Sequence, residues 1–312
     1  MLMARILSRA RPWSPSPDDA VRRATGGAVR VLSHADTTAL TALAATDPVA
    51  NCFVESMLEK GRDASPVRSG GSLFLGISGA GSPATLGRPG ALEAACWVGA
   101  NVVPIGADAD SGALFGVALT ALHRRFASVY GPREAVMHLW RELSRGPQQA
   151  RQIRDDQPLM VLPGKPAVEP SPRVRPARQE EFSAVLPACV AMFEEELGFS
   201  PLQNGAVQYR LRVEDLIRNG WSLVDLDETG QVRFKADLGV VSAHCSQIQG
   251  VWVAPEHRGR GLAAPAMAAV AEHARGIAPR VSLYVNGFNT VALRTYRTVG
   301  FEQVGTFATV LL

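Results

Sequence analysis

The chain has 312 residues, of which 46% are hydrophobic and 20% charged, with a formal net charge of +3. That length fits two domains of about 150 residues, and that composition excludes bulk disorder. The near balance of charge argues against nucleic acid or an anionic membrane as the main partner, and no apolar run reaches the roughly 18 residues of a bilayer span.

Residues 1–28 read as a flexible tail, with Arg9, Arg11, Pro12, Pro15 and Pro17 followed by Asp18 and Asp19. The apolar stretch at its start is too short for a signal-peptide core. Residues 29–162 then alternate strand and helix signals. Val29 to Leu32 reads as a strand, Asp36 caps a helix to Ala45, and Pro48 opens a second helix through Leu58. Strands are expected at Leu73–Ile77, Ala91–Val98 and Val102–Ile105, then a helix from Leu114 to Phe126, a strand from Ala127 to Tyr130, a helix from Pro132 to Leu143 and a strand from Leu159 to Leu162.

Residues 163–172 hold four prolines, a density incompatible with helix or central strand, and read as a PPII-like linker. In residues 173–312 the element order repeats. A strand at Arg173–Arg175 precedes helices at Glu180–Glu196 and Ala206–Arg218. Strands follow at Trp221–Asp225, Val232–Val241 and Cys245–Val253, then a helix at Gly261–Ala274, a strand at Val281–Val285, a helix at Asn289–Thr298 and a terminal strand pair from Phe301 to Leu311. The repeated order points to duplication. Cys52, Cys96, Cys189 and Cys245 form no CxxC pair and no metal-like spacing, so they read as small core residues in a reducing cytoplasm, with no metal site.

The informative segment runs from Ile248 to Ala264: an apolar strand, Pro255, a basic turn of Arg258, Gly259, Arg260 and Gly261, and an alanine-rich helix. Glycines let successive N–H groups converge, the helix start adds free donors and the positive end of its dipole, and the arginines add full charges. Such a loop suits a pyrophosphate. Gly259, Gly261 and Ala264 also satisfy a relaxed dinucleotide fingerprint, but that fingerprint requires a carboxylate about 20 residues on. No acidic residue stands between Glu272 and Glu302, and only one strand–helix–strand unit follows.

The spacing Arg258-x-x-Gly261-x-Ala263 resembles the [QR]-x-x-G-x-[GA] signature of the GNAT acyltransferase family. It is followed by Asn289, Ala292, Tyr296, Gly300 and Phe301 at family-like distances. The resemblance covers roughly Pro172 to Leu312. It implies an α/β (α+β) fold of tandem GNAT-like domains, each a mixed, mostly antiparallel sheet flanked by helices, with a degenerate first copy. This arrangement resembles tandem actinobacterial members.

The resemblance also implies roles. Gly259, Arg260, Gly261, Leu262 and Ala263, with Arg258, would hold the pyrophosphate of acetyl-CoA. Val251, Trp252 and Val253 would pair with the pantetheine arm like an added strand, with an N–H near Val253 polarising the thioester. Tyr296 would protonate the departing thiolate, a phenol near pKa 10 being still a donor at neutral pH. Asn289 would cap the last helix and touch the cofactor.

Many family members carry a glutamate on the strand before the loop, where this chain has Gln247 and Gln249. Glu194, Glu195 and Glu196, bordering the implied acceptor site, are the alternative proton acceptors, with Glu195 and Glu196 the named candidates and His244 a further one. The first half's equivalent loop, Gly106 to Ala113, has no arginine and carries Asp108 and Asp110, so it is expected to bind no coenzyme and to pack against, or contribute to, the acceptor cleft. The expected activity is transfer of an acetyl group to a primary amine, on a small molecule or protein, in a ternary complex by a monomeric pseudo-dimer or a homodimer. Two other readings remain open: a non-catalytic acyl-CoA sensor, and an acyltransferase acting on a small thiol precursor.

Overall fold

A computed structural model of the protein describes residues 16–67, 71–79, 91–203 and 205–312. Most of the tail lies outside these residues. The described strands are, in chain order, β1 (Arg30–Val31), β2 (Leu73–Ser78), β3 (Leu92–Val98), β4 (Asn101–Ile105), β5 (Ser128–Pro132) and β6 (Gln152–Val161). They continue with β7 (Arg175–Pro176), β8 (Ser222–Leu226), β9 (Val232–Val241), β10 (Cys245–Val253), β11 (Arg280–Tyr284) and β12 (Glu302–Leu311). The helices are α1 (Pro17–Ala24), α2 (Thr37–Ala44), α3 (Cys52–Glu59), α4 (Ala109–Ala121), α5 (Arg133–Leu143), α6 (Phe182–Leu197), α7 (Ala206–Arg218), α8 (Ala263–Arg275) and α9 (Thr290–Val299).

All of these strands join one mixed, mostly antiparallel sheet in the order β1-β2-β3-β4-β5-β12-β6-β11-β10-β9-β8-β7. The order is symmetric about its middle, and there the two halves exchange strands. β12, the last strand of the second half, pairs with β5 through Val310 opposite Val129. β6, the last strand of the first half, pairs with β11 through Ser282 opposite Val161. Met160 and Leu162 accordingly pack in the second half's core, and Ala308 and Val310 in the first half's. The residue 162/163 boundary divides the chain but not the sheet.

Strand alternation sets the layers. In β9, Phe234, Ala236 and Leu238 join α8 and α9 in one core, which leaves Lys235 and Asp237 on the opposite face. In β2, Leu73 and Leu75 face the core of α4 and α5, while Phe74 faces that of α2 and α3. Between the halves, Val49, Cys52, Leu159, Cys245 and Phe307 form a joint core, where the Cys52 thiol donates to the Cys245 carbonyl at 3.2 Å. All four cysteines are buried and free.

Several expectations need correction. Pro17–Ala24, placed in the tail, is a helix: Ser16 Oγ accepts the Asp19 N–H at 3.1 Å, and Val21 is fully buried. α4 starts a turn earlier than expected because Asp108 caps it, accepting the Ser111 N–H at 2.9 Å. The expected terminal strand pair is one bulged strand, β12, held between β5 and β6. β6 begins at Gln152 rather than Leu159, because pairing with β12 carries it through a polar run that has no strand signature, whereas β11 joins only at Leu159–Val161. The proline-rich segment has no regular structure but is pinned to the second half, with Ala167 N donating to Val299 O at 2.8 Å and Ser171 N to Pro265 O at 2.9 Å.

Candidate active site

The site begins where two parallel strands part. β10 and β11 pair from Cys245 opposite Arg280 to Ile248 opposite Leu283, and no further. Beyond that point Gln249–Val253 pairs only with β9, through a bulge at Gly250, whose φ of +57° favours glycine. The Ala254 N–H bonds the Arg233 carbonyl at 2.9 Å, so by strand alternation the amides of Val253 and Val251 point away from β9. Val251 and Val253 thus offer main-chain groups to the open edge, whereas the Trp252 main chain faces Lys235 on β9. A cleft of about 320 Å³ lies along this edge, lined by Gln249 to Trp252 on one side and by Leu283 to Asn286, Asn289 and Tyr296 on the other.

After the strand, Pro255–His257 makes one 3₁₀ turn and the chain enters the basic loop. Gly259 and Gly261 both have positive φ (+71° and +75°), and a Cβ on either would meet nothing within 4 Å. These glycines are therefore required by backbone conformation and leave open space above the loop. Leu262, the residue before α8, makes no side-chain cap, so the first N–H groups of α8, starting at Ala263, have no side-chain acceptor. Arg260 is exposed and makes no ion pair among the described residues. Open glycines, uncapped donors and a free guanidinium together fit a pyrophosphate.

Arg258 is differently placed. Its Nε donates to Val253 O at 2.9 Å, and its terminal nitrogen to both oxygens of Glu195, at 2.9 and 2.8 Å. Glu195 also accepts the Trp252 indole N–H at 3.1 Å. Both partners are nearly half exposed, and such a pair is worth at most about 1 kcal/mol. Its consequence is positional: the end of α6 is tied to the loop. Glu196 faces the other way, taking the buried Arg154 guanidinium on its carboxylate and on its carbonyl, both at 2.9 Å.

Asn289 caps α9, with Oδ1 accepting the Ala292 N–H at 3.1 Å, and lines the cleft. Two turns further, Tyr296 is 7% exposed and packs against Phe301. It rises from the α8–α9 side of the sheet into the gap between β10 and β11, where Met192 and Glu196 enter from the other side. Burial, and next the Glu196 carboxylate, push its phenol well above the ordinary range, so it stays protonated at neutral pH. Gln247 and Gln249 bond each other at 3.1 Å. His244 sits before β10 against the buried Glu55 carboxylate at 3.3 Å, outside the cleft lining. Glu194 is exposed and makes no ion pair among the described residues.

Several cleft residues escaped sequence reasoning. Arg154 and Gln157 come from the polar start of β6, and Gln157 bonds Asn286 at 2.9 Å and Thr309 at 2.7 Å. Tyr284, at the end of β11, is pushed up to about 12 by burial and then by Glu196. Fully buried Lys235 is paired with Asp237, which also accepts Ser222 Oγ at 2.8 Å. Burial opposes the Lys235 charge, but Asp237 more than compensates and its pKa rises. The signal was Lys235 and Asp237 alternating with Phe234, Ala236 and Leu238 in one strand. Phe53, Met57, Lys60 and Tyr130 of the first half close the cleft's far side.

Comparisons with known proteins agree with this architecture. Residues 220–301 match the model of the acetyltransferase (GNAT) family, and residues 84–185 match a domain of unknown function (DUF4081). Among solved structures, an acetyltransferase of the GNAT family from Colwellia psychrerythraea is 12% identical with a TM-score of 0.55, over 91% of this chain and 99% of that one. A GCN5-related N-acetyltransferase from Sphaerobacter thermophilus is 18% identical with a TM-score of 0.55, over 91% and 95%. A tandem GNAT protein from the clavulanic acid biosynthesis pathway is 14% identical with a TM-score of 0.50, over 91% and 98%. A search of curated proteins gave no match. The molecule is thus a GNAT-fold protein of the tandem kind, a fold that serves acyl transfer. Within its second half, residues 220–301 carry the match to the acetyltransferase (GNAT) family model, and the first half is divergent.

Proposed function

We propose that the second half binds acetyl-CoA along the open edge of β10 and transfers its acetyl group to an amine that enters from the cleft between the halves. The observation that carries this reading is the parting of β10 from β11 after Ile248 and Leu283, beside an open glycine loop and a buried tyrosine. An unpaired strand edge accepts an extended, amide-bearing arm by β-augmentation. The Gly259–Ala263 amides and Arg260 hold the pyrophosphate, and an outward amide at Val251 or Val253 polarises the thioester carbonyl. Acetyl-CoA supplies the activated acyl group.

The amine nitrogen attacks the carbonyl carbon, a C–N bond forms and the C–S bond breaks. Tyr296 gives its phenolic proton to the departing thiolate. Glu195 is committed to Arg258 and Trp252 and holds the loop in place. Glu196 borders every compartment of the cleft, so we assign it the proton released from the attacking nitrogen. In the first half, Asp108 already occupies the α4 N-terminus as an anion, which argues against a second coenzyme site.

Calorimetric titration of acetyl-CoA into the wild type and Arg260→Glu, with intact mass of an amine panel, tests the reading. One site, weakened in the variant, together with acetylated product supports it. No heat with the wild type overturns it. Binding without transfer to any amine points instead to an acyl-CoA sensor.

A further inference from the structure

The cleft's charges also define a class of acceptor, on the premise that the site transfers an acyl group. The walls of the two compartments beyond Gln249 carry Lys60, Arg154, Glu196, Arg212 and Asp237. Arg154 is paired with Glu196 and Asp237 with Lys235, so those charges cancel locally. Arg212 and Lys60 make no ion pair among the described residues, and Lys60 lies over the Trp221 ring at 5.4 Å. Among the described residues the Arg212 guanidinium hydrogen-bonds only the Gly239 carbonyl, at 3.5 Å, the weak limit of such a bond.

Arg212 lines both compartments and stands where the halves meet. Its charge bears on Tyr209 of the second half and on Tyr130 of the first, in each case opposing the upward push of burial. Between Arg212 and Gln249 the wall is apolar, formed by Met192, Phe193, Leu197, Val213 and Tyr284 around about 360 Å³. That volume is at the lower end of small-molecule sites.

We propose that the acceptor is an amine that also bears a carboxylate, an amino acid or a close relative, with its carboxylate on Arg212 and its amine toward Gln249 and Gly250. A guanidinium fork matches a carboxylate in two parallel hydrogen bonds, a geometry that neither an amide nor an ammonium offers. A polyamine would meet two unneutralised cations on the cleft wall, which disfavours it. The apolar wall between the two ends suits an aliphatic or aromatic side chain.

The test uses the full chain with saturating acetyl-CoA and follows thiol release. The standard L-amino acids are compared with their amides, and spermidine serves as the cationic probe. The proposal expects the preferred acid to exceed its amide in kcat/KM by about tenfold, the scale of one charge-assisted bond. It further expects Arg212→Gln to bring that ratio near one through KM, with acetyl-CoA affinity as the check that the variant is folded. Transfer to amides or spermidine at rates equal to or above the acids overturns the carboxylate while leaving acyl transfer intact. Bound acetyl-CoA transferred to no probe counts against both.

Discussion

The molecule builds the same junction twice, a strand leading into a helix beside a parting parallel neighbour, and the two copies differ in what fills it. β4 pairs with β5 only at Asn101 and Val102 before the strands separate, as β10 leaves β11 after Ile248. In the first half residues 106–108 lead directly into α4, and the Asp108 carboxylate occupies the helix start. The α4 helix is also pressed against α5: a Cβ on Gly112 would lie 2.4 Å from the Ala135 carbonyl. In the second half residues 254–262 make a longer excursion, with open glycines, a free arginine and no side-chain cap. The lesson is that a phosphate site depends on what a junction leaves unpaired. The first copy satisfies its own donors with Asp108, and the second leaves them without a side-chain acceptor.

The largest expected effect comes from removing what the halves share. Deleting residues 302–311 strips a strand from between β5 and β6, and neither half should then show a cooperative thermal transition by circular dichroism. A normal melt in the second half alone would mean that the exchange is incidental.

Tyr296→Phe comes next. Turnover should fall about 100-fold with acetyl-CoA affinity retained. Because the phenol is raised, its deprotonation should not lower wild-type kcat below about pH 10 in a stopped-flow profile.

The comparison of junctions is sharpened by a matched pair. Arg260→Glu should weaken acetyl-CoA by about tenfold or more, while Asp108→Arg should create no second site, because the short first-half junction has one positive-φ glycine, Gly106, packed against Leu43, in place of two open ones. Asp108→Ala, which removes only the cap, should cost about 1 kcal/mol in urea unfolding.

The smallest effect is in acid. Burial favours the neutral form of Asp36, but Arg30 and Ser33 hold its carboxyl below the usual range, and Arg175 does the same for Glu181. Both carboxylates add stability above about pH 4 and lose it as pH falls through their lowered folded values. The urea midpoint should therefore drop on acidification, and less so in Glu181→Gln.

The geometry of the candidate site was legible in the sequence wherever it depended on local order. Gly259, Gly261, Arg260, Asn289 and Tyr296 are fixed by loop conformation and helix spacing, which short stretches of chain encode. Arg154 and Gln157 were not legible, because a polar run looks like a loop until a distant strand, here β12, pairs with it. The roles of Glu195 and Glu196 were also hidden. Adjacent residues at a helix end point to different neighbours, one to Arg258 and one to Arg154, and only packing sets which.

By itself the sequence determined two copies of one element order, a basic glycine loop in the second and an acidic loop in the first; the shortness of the first junction was decided by the Asp108 cap, which starts α4 at Ala109. The exchange of β6 and β12 between halves was decided only in the tertiary structure, since alternating strands carry no label for their partner. The same exchange places Arg154 of the first half beneath Glu196 of the second, so the cleft belongs to neither half alone.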